Sequence, residues 1–335
     1  MKKTKLVCKN VWKLFGSKPE DFLIKHNNNP SDEDIKSNGY IQAIRDASVD
    51  ILENEILVIM GLSGSGKSTL VRCMSRLIEP TSGQIIFENV DMGSLTKKEL
   101  IEIRRHKMGM VFQHFALFPH RNVLDNVSFP LEVQGVEKSK RIQSSMEVLE
   151  LVGLKGRENY FPSELSGGQQ QRVGIARSLA VKPELWFLDE PFSALDPLIR
   201  KEMQDEFLRI QSKLKKTIVF ITHDFDEAIR LADRIIIMNE GKIIQIGNTE
   251  DLVLNPADDY VREFTKDLPR ERLLTVKSIM SSDIPKENHA TVHENDKIFL
   301  ATEKVLSHQV VTVVNSSNEI VGSLDRDSLK KFLYH

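Results

Sequence analysis

Cysteine is nearly absent from the sequence. Only Cys8 and Cys73 occur among its 335 residues, and they lie far apart, without a CxxC spacing and without a histidine cluster beside them. This excludes a disulfide framework and favours a compartment in which thiols stay reduced. The chain is long enough to bury a substantial core, and at roughly 150 residues per domain its length predicts about two domains.

An excess of charge of one sign is also missing. Lys and Arg number 46 and Asp and Glu number 48, so the formal net charge is only −2. The sequence therefore has neither the basic field that attracts nucleic acid nor the acidic excess that favours disorder. We expect no nucleic acid partner.

Long hydrophobic runs are absent as well. The apolar runs Ile56–Met60 and Ile235–Met238 are flanked by charged residues and fall far short of the ~18 to 20 residues that a transmembrane helix needs. The basic start Met1–Lys3 is not followed by the apolar stretch of a secretory signal. We expect a cytoplasmic chain that does not cross a membrane by itself.

What the sequence does contain is an alternation of apolar strand-like runs with helical patterns. Helical spacing is found at Lys67–Ile78 and Ser139–Leu151. The expected strands are Leu6–Leu14, Val49–Leu52, Glu55–Met60, Ile85–Phe87, Met108–Phe112, Leu185–Leu188, Ile218–Ile221, Ile235–Met238 and Ile243–Ile246. This order predicts an α/β fold with a largely parallel sheet, closed by a hairpin of the last two strands.

Two segments depart from this alternation. Residues 17–39 are polar and rich in Asn and Asp, which predicts an insertion or a mobile loop. The alternation ends near Asp267–Arg270, so residues 1–268 are the expected first domain. Residues 269–335 are expected to form a small α+β tail, with strands at Val310–Val314 and Ile320–Leu324 and a helix that starts near Asp327.

A glycine-rich octapeptide directly follows the strand that ends at Met60. Gly61-Leu62-Ser63-Gly64-Ser65-Gly66-Lys67-Ser68 matches the phosphate-binding loop in full, and Thr69 extends the expected ATP site. Its backbone N–H groups and the following helix can hold phosphates, while Lys67 can reach the β- and γ-phosphates and Ser68 can bind Mg²⁺. The alternative is a glycine-rich turn that binds nothing, and the flanking strand and helix argue against it.

Two adjacent carboxylates, Asp189 and Glu190, end the apolar strand Leu185–Leu188. Ligands of open parallel sheets bind at the carboxyl ends of the strands, so both acids are expected near the phosphate loop. Asp189 is expected to hold Mg²⁺, and Glu190 to orient and deprotonate the water that attacks the γ-phosphate. Taken alone, the pair is equally consistent with a strand that ends in solvated acids.

Further motifs identify a family. Leu165-Ser166-Gly167-Gly168-Gln169 opens a helical run, Gln113 follows the strand Met108–Phe112, Ser193-Ala194-Leu195-Asp196 follows Glu190, and His223 follows the strand Thr217–Thr222. Together with the phosphate loop, these motifs resemble the ATP-binding cassette (ABC) family of transport ATPases. In that family they are the signature, the Q-loop, the D-loop and the switch histidine.

The resemblance implies a fold and partners. It implies a P-loop NTPase cassette, with a RecA-like parallel-sheet core, an antiparallel part and a helical subdomain at about residues 115–178. It also implies a homodimer in which the signature of one chain faces the ATP held by the other. His223 and Gln113 join Glu190 as implied catalytic residues, with Gln113 also near Mg²⁺. The apolar segment Gln113–Pro119 is the predicted landing site of a membrane permease, with an internal packing role as the alternative.

The insertion resembles one branch of that family, the ATPase subunits of glycine betaine and proline betaine importers, together with three other segments: Gly61–Gly66, Ser193–Arg200 and Asn255–Val261. This implies that ATP and Mg²⁺ are cofactors, that a periplasmic or surface substrate-binding protein is a partner, and that the chain acts at the cytoplasmic face of the plasma membrane. Glycine betaine, proline betaine, choline, carnitine and trimethylamine oxide are all compatible substrates. The alternatives are an ATPase of another transporter branch and a soluble cassette ATPase without a transport role.

Two further assignments come from the resemblance. Phe15 is the candidate for stacking on adenine, and Tyr40, on the other side of the insertion, competes with it. The tail, residues 269–335, resembles a single CBS-type regulatory unit. Such units normally work in pairs, so the alternative is a degenerate tail that stabilises the dimer.

Overall fold

A computed structural model describes residues 3–113, 116–266, 268–284 and 290–334. The chain divides into two compact units, Met1–Ile246 and Gly247–His335. His114 and Phe115 of the predicted landing site and Asp267 of the predicted domain boundary lie outside the described residues.

The elements up to the unit boundary follow the predicted alternation. In chain order they are β1 Thr4–Phe15, α1 Pro19–Lys25, α2 Asp32–Ser37, β2 Ile41–Leu52, β3 Ile56–Met60, α3 Lys67–Met74, β4 Ser82–Phe87, β5 Val90–Asp91, α4 Lys97–Lys107, β6 Met108–Val111, α5 Val123–Val133, α6 Lys138–Leu151, α7 Gly167–Leu179, β7 Leu185–Asp189, α8 Pro197–Leu214, β8 Thr217–Ile221, α9 Phe225–Leu231, β9 Arg234–Asn239 and β10 Lys242–Gly247.

The central sheet has the strand order β10-β9-β3-β8-β7-β6 in the described part of the chain. Strand β3 pairs in parallel with β8 and β9, and β7 pairs in parallel with β8 and β6. Every residue of β3, β7 and β8 is buried, which explains why these strands are continuous apolar runs rather than alternating ones. The predicted α/β class with a parallel sheet is confirmed.

A second, antiparallel sheet covers one side of this core, in the order β2-β1-β4-β5. Its inward side chains, such as Leu6 and Val49, belong to the same hydrophobic cluster as Leu57 of β3, Leu70 of α3 and Phe187 of β7. Burial of each such side chain stabilises the fold by about 1.5–3 kcal/mol. The phosphate loop, which lies between β3 and α3, is therefore anchored at both ends in this shared core.

The insertion is folded rather than a mobile loop. Helix α2 begins with a capping box, in which Ser31 and Asp34 bind each other's backbone N–H groups. Phe22, Leu23 and Ile35 of the insertion are buried against Trp12 and Leu14 of β1. Three apolar residues dispersed among polar ones are thus enough to pack two short helices onto the antiparallel sheet.

Helices α5, α6 and α7 pack on one another in the segment for which the sequence predicts a helical subdomain. They include no membrane span, since no helix in the described part of the chain is long and apolar enough to cross a bilayer.

The second unit contains the tail and the segment before it. Its elements are α10 Thr249–Leu254, α11 Asp259–Thr265, α12 Arg270–Leu273, β11 Thr291–His293, α13 Ile298–His308, β12 Val310–Val314, β13 Ile320–Asp325 and α14 Arg326–Tyr334. Strand β12 is parallel to β11 and antiparallel to β13. This unit begins at Gly247, and within it Glu250 of α10 accepts a hydrogen bond from the backbone N–H of Thr275 at 2.8 Å.

Candidate functional site

The phosphate loop runs so close to neighbouring strands that it needs glycine. A Cβ on Gly61, whose φ is 148°, would lie 2.2 Å from the carbonyl oxygen of Met238. A Cβ on Gly66, with φ of 98°, would lie equally close, at 2.2 Å, to the carbonyl oxygen of Ala43. The loop is therefore held between β9 and β2 in a backbone conformation that other residues adopt only with strain.

Lys67, the first residue of α3, points its ammonium group back into the loop. The residue is 6% exposed, and Nζ donates to the carbonyl oxygens of Gly61 at 2.9 Å and Leu62 at 3.0 Å. Burial lowers the pKa of Lys67, against the opposing effect of the charges of Glu190 and Asp189. The Lys67 ammonium is thus stabilised by the negative charges of Asp189 and Glu190 at the end of β7.

Asp189 ends β7 and lies 4% exposed next to the phosphate loop. Ser68 Oγ donates to its Oδ1 at 2.8 Å, and Arg72 Nη2 lies 4.0 Å from its Oδ2. Burial raises the pKa of Asp189, while the Ser68 hydrogen bond and the Arg72 charge act to lower it. Sequence reasoning missed Arg72, although its position four residues after Ser68 on one helix face would have suggested it.

The oxygen atoms of Ser68 and Asp189 suit a divalent cation that takes its other ligands elsewhere. In the described residues no group of three or more His, Cys, Asp or Glu side chains could hold a metal alone. Mg²⁺ usually binds through one or two protein oxygens, several waters and substrate phosphates. The donor set therefore fits Mg²⁺ bound together with a nucleotide.

Glu190 contacts the other two predicted catalytic residues. Gln113 Nε2 donates to its Oε2 at 3.0 Å, and His223 Nδ1 lies 3.2 Å from the same oxygen. Its φ of 47° is left-handed, a conformation that costs a residue with a side chain about 1 kcal/mol or more. Its backbone N–H donates to the carbonyl oxygen of Ile221 at 3.1 Å. The structure thus brings Gln113, Glu190 and His223 together at the ends of β6, β7 and β8.

The signature begins α7 and packs against the D-loop. Ser166 caps the helix in a capping box with Gln169 and is exposed, as is Gly167. A Cβ on Gly167 would lie 3.6 Å from Leu195, and one on Gly168 would lie 2.9 Å from Ile199 at the start of α8. The first turn of α7 therefore presents its backbone N–H groups at the surface, with the D-loop directly behind it.

Comparison with known proteins assigns the family. The sequence model described as ABC transporter matches residues 44–193. Over 319 residues the chain is 54% identical to the trimethylamine N-oxide transport system ATP-binding protein TmoW of Pelagibacter ubique (strain HTCC1062), a match that covers 95% of this chain and 94% of that protein. The chain belongs to the ABC transporter ATPases.

Within this family the similarity extends to one branch and to solved structures. The ABC ATPase is 43% identical over 330 residues to the glycine betaine/proline betaine transport system ATP-binding protein ProV of Escherichia coli (strain K12), covering 98% of this chain and 82% of that protein. The dimeric structure of MJ0796, a bacterial ABC transporter cassette, matches with a TM-score of 0.61 and 33% identity, covering 72% of this chain and 98% of that one. The predicted cassette fold and the quaternary amine importer branch are confirmed.

The two candidates for adenine stacking have different surroundings in this ABC ATPase. Phe15 ends β1 opposite Ile41, is 42% exposed and has Lys13 Nζ 5.1 Å from its ring centroid. Tyr40 instead packs on Phe22 with a centroid distance of 4.3 Å and donates to the carbonyl oxygen of Ser17. Tyr40 is thus used to hold the insertion, and the ring of Phe15 is available.

The described part of the predicted landing segment is fastened to α5. Phe118 exchanges two hydrogen bonds with Asn126, one through its N–H at 2.8 Å and one through its carbonyl oxygen at 3.1 Å. Its ring packs against Phe129 at 4.7 Å. Phe129 also lines a groove of about 440 Å³ whose apolar lining includes Leu77, Ile101, Met110 and Val133. Internal packing therefore accounts for Phe118, and the groove that adjoins it is partly apolar.

Proposed function

We propose that this ABC ATPase hydrolyses ATP at the site formed by the phosphate loop and the ends of β6, β7 and β8, and that it thereby energises the uptake of a small quaternary or tertiary-oxide amine. The observation that carries the proposal is the position of Glu190. Its carboxylate is held between Gln113 and His223, next to the Asp189 carboxylate that contacts Ser68 of the phosphate loop.

The phosphate loop binds the nucleotide in this mechanism. The backbone N–H groups from Gly61 to Thr69 surround the phosphates, and Lys67 exchanges its two carbonyl contacts for the β- and γ-phosphate oxygens. Ser68 and Asp189 would hold Mg²⁺, with Gln113 beside them, and the ion supplies charge neutralisation for the phosphates when it is bound. Phe15 stacks on the adenine ring.

Glu190 then acts as the general base. It accepts a proton from the water that attacks the γ-phosphate, while Gln113 and His223 keep its carboxylate and that water in line. The attacking water needs this orientation, because positioning contributes most of the rate in phosphoryl transfer.

A second copy of the chain supplies the remaining contacts. The N–H groups at the start of α7, in the signature Leu165–Gln169, form an exposed anion-binding end that the phosphate loop of the same chain does not need. We expect two chains to close head to tail around two nucleotides, with the D-loops, Ser193–Asp196, between the sites. The solved structure of MJ0796 is dimeric, which supports a dimer of this chain.

Transport requires partners outside this chain. A membrane permease docks at the groove beside Gln113–Pro119, on the cytoplasmic face of the plasma membrane, and a periplasmic or surface binding protein delivers the amine. Among compatible amines we favour trimethylamine N-oxide, because relatives named for its transport are 54% identical and those named for glycine betaine 43% or 44%. The strand-helix-strand-strand-helix order from β11 to α14 supports a single CBS-like regulatory unit at residues 269–335.

The test of the catalytic assignment is Glu190→Gln. We expect ATP turnover to fall by at least 100-fold, since the amide cannot accept the proton, and ATP to hold the variant as a dimer in size-exclusion chromatography with light scattering. Glu147→Gln, an exposed change on α6, is the matched control. Turnover of Glu190→Gln at the normal rate would show that another group is the base.

The test of the transport assignment uses the complete transporter in proteoliposomes, assembled from this chain, its permease and its binding protein. We expect trimethylamine N-oxide to stimulate ATP turnover and to be taken up into the vesicles. The concentration of trimethylamine N-oxide that this requires should be lower than that of glycine betaine or choline. Preference for another of these amines would change the substrate but not the function. ATP turnover that no permease affects would favour a soluble, non-transport ATPase.

A further inference from the structure

A closed ring of contacts links Glu190 to His223 by way of the D-loop. The ring starts at the backbone of Glu190, whose carbonyl oxygen accepts from Ser193 N–H at 3.3 Å and from Ser193 Oγ at 3.0 Å. It ends at the Glu190 side chain, where His223 Nδ1 lies 3.2 Å from Oε2. Between these points the chain leaves the sheet, forms the D-loop and starts α8.

Arg200 closes the ring from the first turn of α8. Its Nη2 donates to the carbonyl oxygen of Leu195 in the D-loop at 3.2 Å. Its Nη1 donates to Asp224 Oδ2 at 3.4 Å, and Asp224 directly follows His223. We call these two contacts the Arg200 bridge.

Asp224 can pass a displacement on to His223. Its Oδ1 accepts from the N–H of Glu227 at 3.2 Å, which caps α9, and its own N–H donates to Thr222 Oγ1 at 3.0 Å. His223 therefore lies between two residues that are tied to each other. A shift of the Asp224 carboxylate changes the backbone that carries the imidazole.

A second contact keeps the starts of α8 and α9 together. Gln204, one turn after Arg200, donates from Nε2 to Glu227 Oε1 at 3.0 Å. Glu227 is 5% exposed, so this hydrogen bond lies in the interior. This contact links α8 to α9 but does not include the D-loop. The Arg200 bridge links the D-loop to the start of α9.

We propose that Arg200 is a positioning residue that couples the D-loop to His223, so that closure of the second chain against the D-loop sets the imidazole against Glu190. This rests on the proposed dimeric ATP site. The planar guanidinium suits the task, because its fork can serve a carbonyl oxygen and a carboxylate at once, whereas a lysine ammonium is a single point charge.

The test compares Arg200→Gln and Asp224→Asn in ATP turnover. Asn is a good helix cap, so Asp224→Asn keeps the start of α9 and removes the charge that Arg200 binds. We expect kcat to fall by about 10-fold in each variant, since misplacement of catalytic groups costs rate. KM for ATP should stay within about twofold, because neither residue contacts the phosphate loop. The double variant should be no slower than the slower single variant.

The control is Arg209→Gln, which changes an exposed arginine of the same helix whose partners are Glu206 and the carbonyl oxygen of Leu151. Its kcat should match that of the unchanged protein. Normal kcat in Arg200→Gln would overturn the proposal, as would losses that add in the double variant. A rise in KM together with a lower Tm in both single variants would show a purely structural role.

The outcome is separable from the proposed function. If Glu190→Gln is inactive and Arg200→Gln is normal, the Arg200 bridge has no positioning role, although the ATP site stands. If Glu190→Gln hydrolyses ATP normally, the assignment of the base fails whatever Arg200 does.

Discussion

The ABC ATPase presents two surfaces with anion-binding character, and they are built differently. The phosphate-loop face consists of Gly61–Ser68 with Asp189 and Glu190. Its charged groups Lys67 and Asp189 are buried; Lys67 donates to carbonyl oxygens of the loop, and Asp189 accepts from Ser68. The signature face consists of Leu165–Gln169, and Ser166 and Gly167 in it are exposed. One face is completed by contacts within the chain, whereas the other is directed outward.

This difference indicates which contacts hold each face in its binding conformation. Buried charges must be paired in advance, because an isolated buried charge costs several kcal/mol. Exposed N–H groups at a helix start can remain solvated until an anion arrives. The phosphate-loop face is therefore preorganised in a single chain, whereas in the proposed dimer the signature face would act only when a second chain brings a nucleotide to it.

The largest effect is expected from Lys67→Ala, which breaks the phosphate-loop face. Charge-assisted hydrogen bonds to phosphate are the strong ones, so we expect ATP affinity to fall by at least 100-fold, equivalent to about 3 kcal/mol. Titration calorimetry with a non-hydrolysable ATP analogue measures this. Lys97→Ala, at the exposed start of α4, should bind normally. Affinity within a few-fold of normal for Lys67→Ala would show that the ammonium does not reach the phosphates.

A smaller but more selective effect is expected from Gly167→Ala on the signature face. The added methyl group has room in the free chain, since Leu195 would lie 3.6 Å away, and Ala favours a helix more than Gly does. We expect unchanged or slightly raised Tm, unchanged nucleotide affinity of the single chain, and ATP turnover reduced about 10-fold, because in the proposed dimer the methyl group would lie where a second chain's nucleotide approaches. Normal turnover would mean that this face is not used.

The contrast also explains how much the sequence could predict. Local motifs predicted β3, the phosphate loop and α3, because an apolar run, a glycine pattern and helical spacing occur in one continuous stretch. The rule that carboxyl ends of parallel strands share one edge predicted that Asp189 and Glu190 lie near the phosphate loop. Gln113 and His223 were added to the site by the family resemblance.

What escaped prediction depends on contacts between distant residues. The composition of residues 17–39 indicated an insertion or a mobile loop and no helices, whereas three apolar side chains, Phe22, Leu23 and Ile35, pack the segment onto β1. The Arg200 bridge joins Leu195 in the D-loop to Asp224, which follows β8. No local sequence pattern shows which carboxylate an arginine will bind. The described structure is needed for both.

The adenine end of the phosphate-loop face is tested by Phe15→Ala against Tyr40→Phe. Stacking on an aromatic ring adds about 0.5–1.5 kcal/mol, so we expect KM for ATP to rise about two- to tenfold in Phe15→Ala, with kcat unchanged. Tyr40→Phe keeps the ring that packs on Phe22 and removes the hydroxyl that binds Ser17. It should leave KM unchanged and lower Tm slightly. The reverse pattern would show that the adenine ring stacks on Tyr40 instead of Phe15.

The smallest effect is expected at Glu88, which follows β4 and accepts hydrogen bonds from Lys5 and Lys107. Burial by itself raises the pKa of Glu88, but these hydrogen bonds outweigh it and lower the pKa from 4.5 to about 2. The stability that this carboxylate contributes is therefore fully present above pH 4.5 and lost as the pH falls towards 2.

Glu88→Gln should accordingly destabilise the chain by about 1–2 kcal/mol at neutral pH, and the difference should shrink below pH 4.5, in urea unfolding at both pH values. ATP turnover should stay within about twofold, since the ion network of Glu88 includes Lys107 and Glu184. These two residues directly precede β6 and β7, at the opposite ends of those strands from Gln113 and Glu190. Glu102→Gln, an exposed change on α4, should have little effect at either pH. An equal loss at both pH values would mean that packing, and not charge, gives Glu88 its role, whereas lost turnover would show that the preorganised face depends on this network as well.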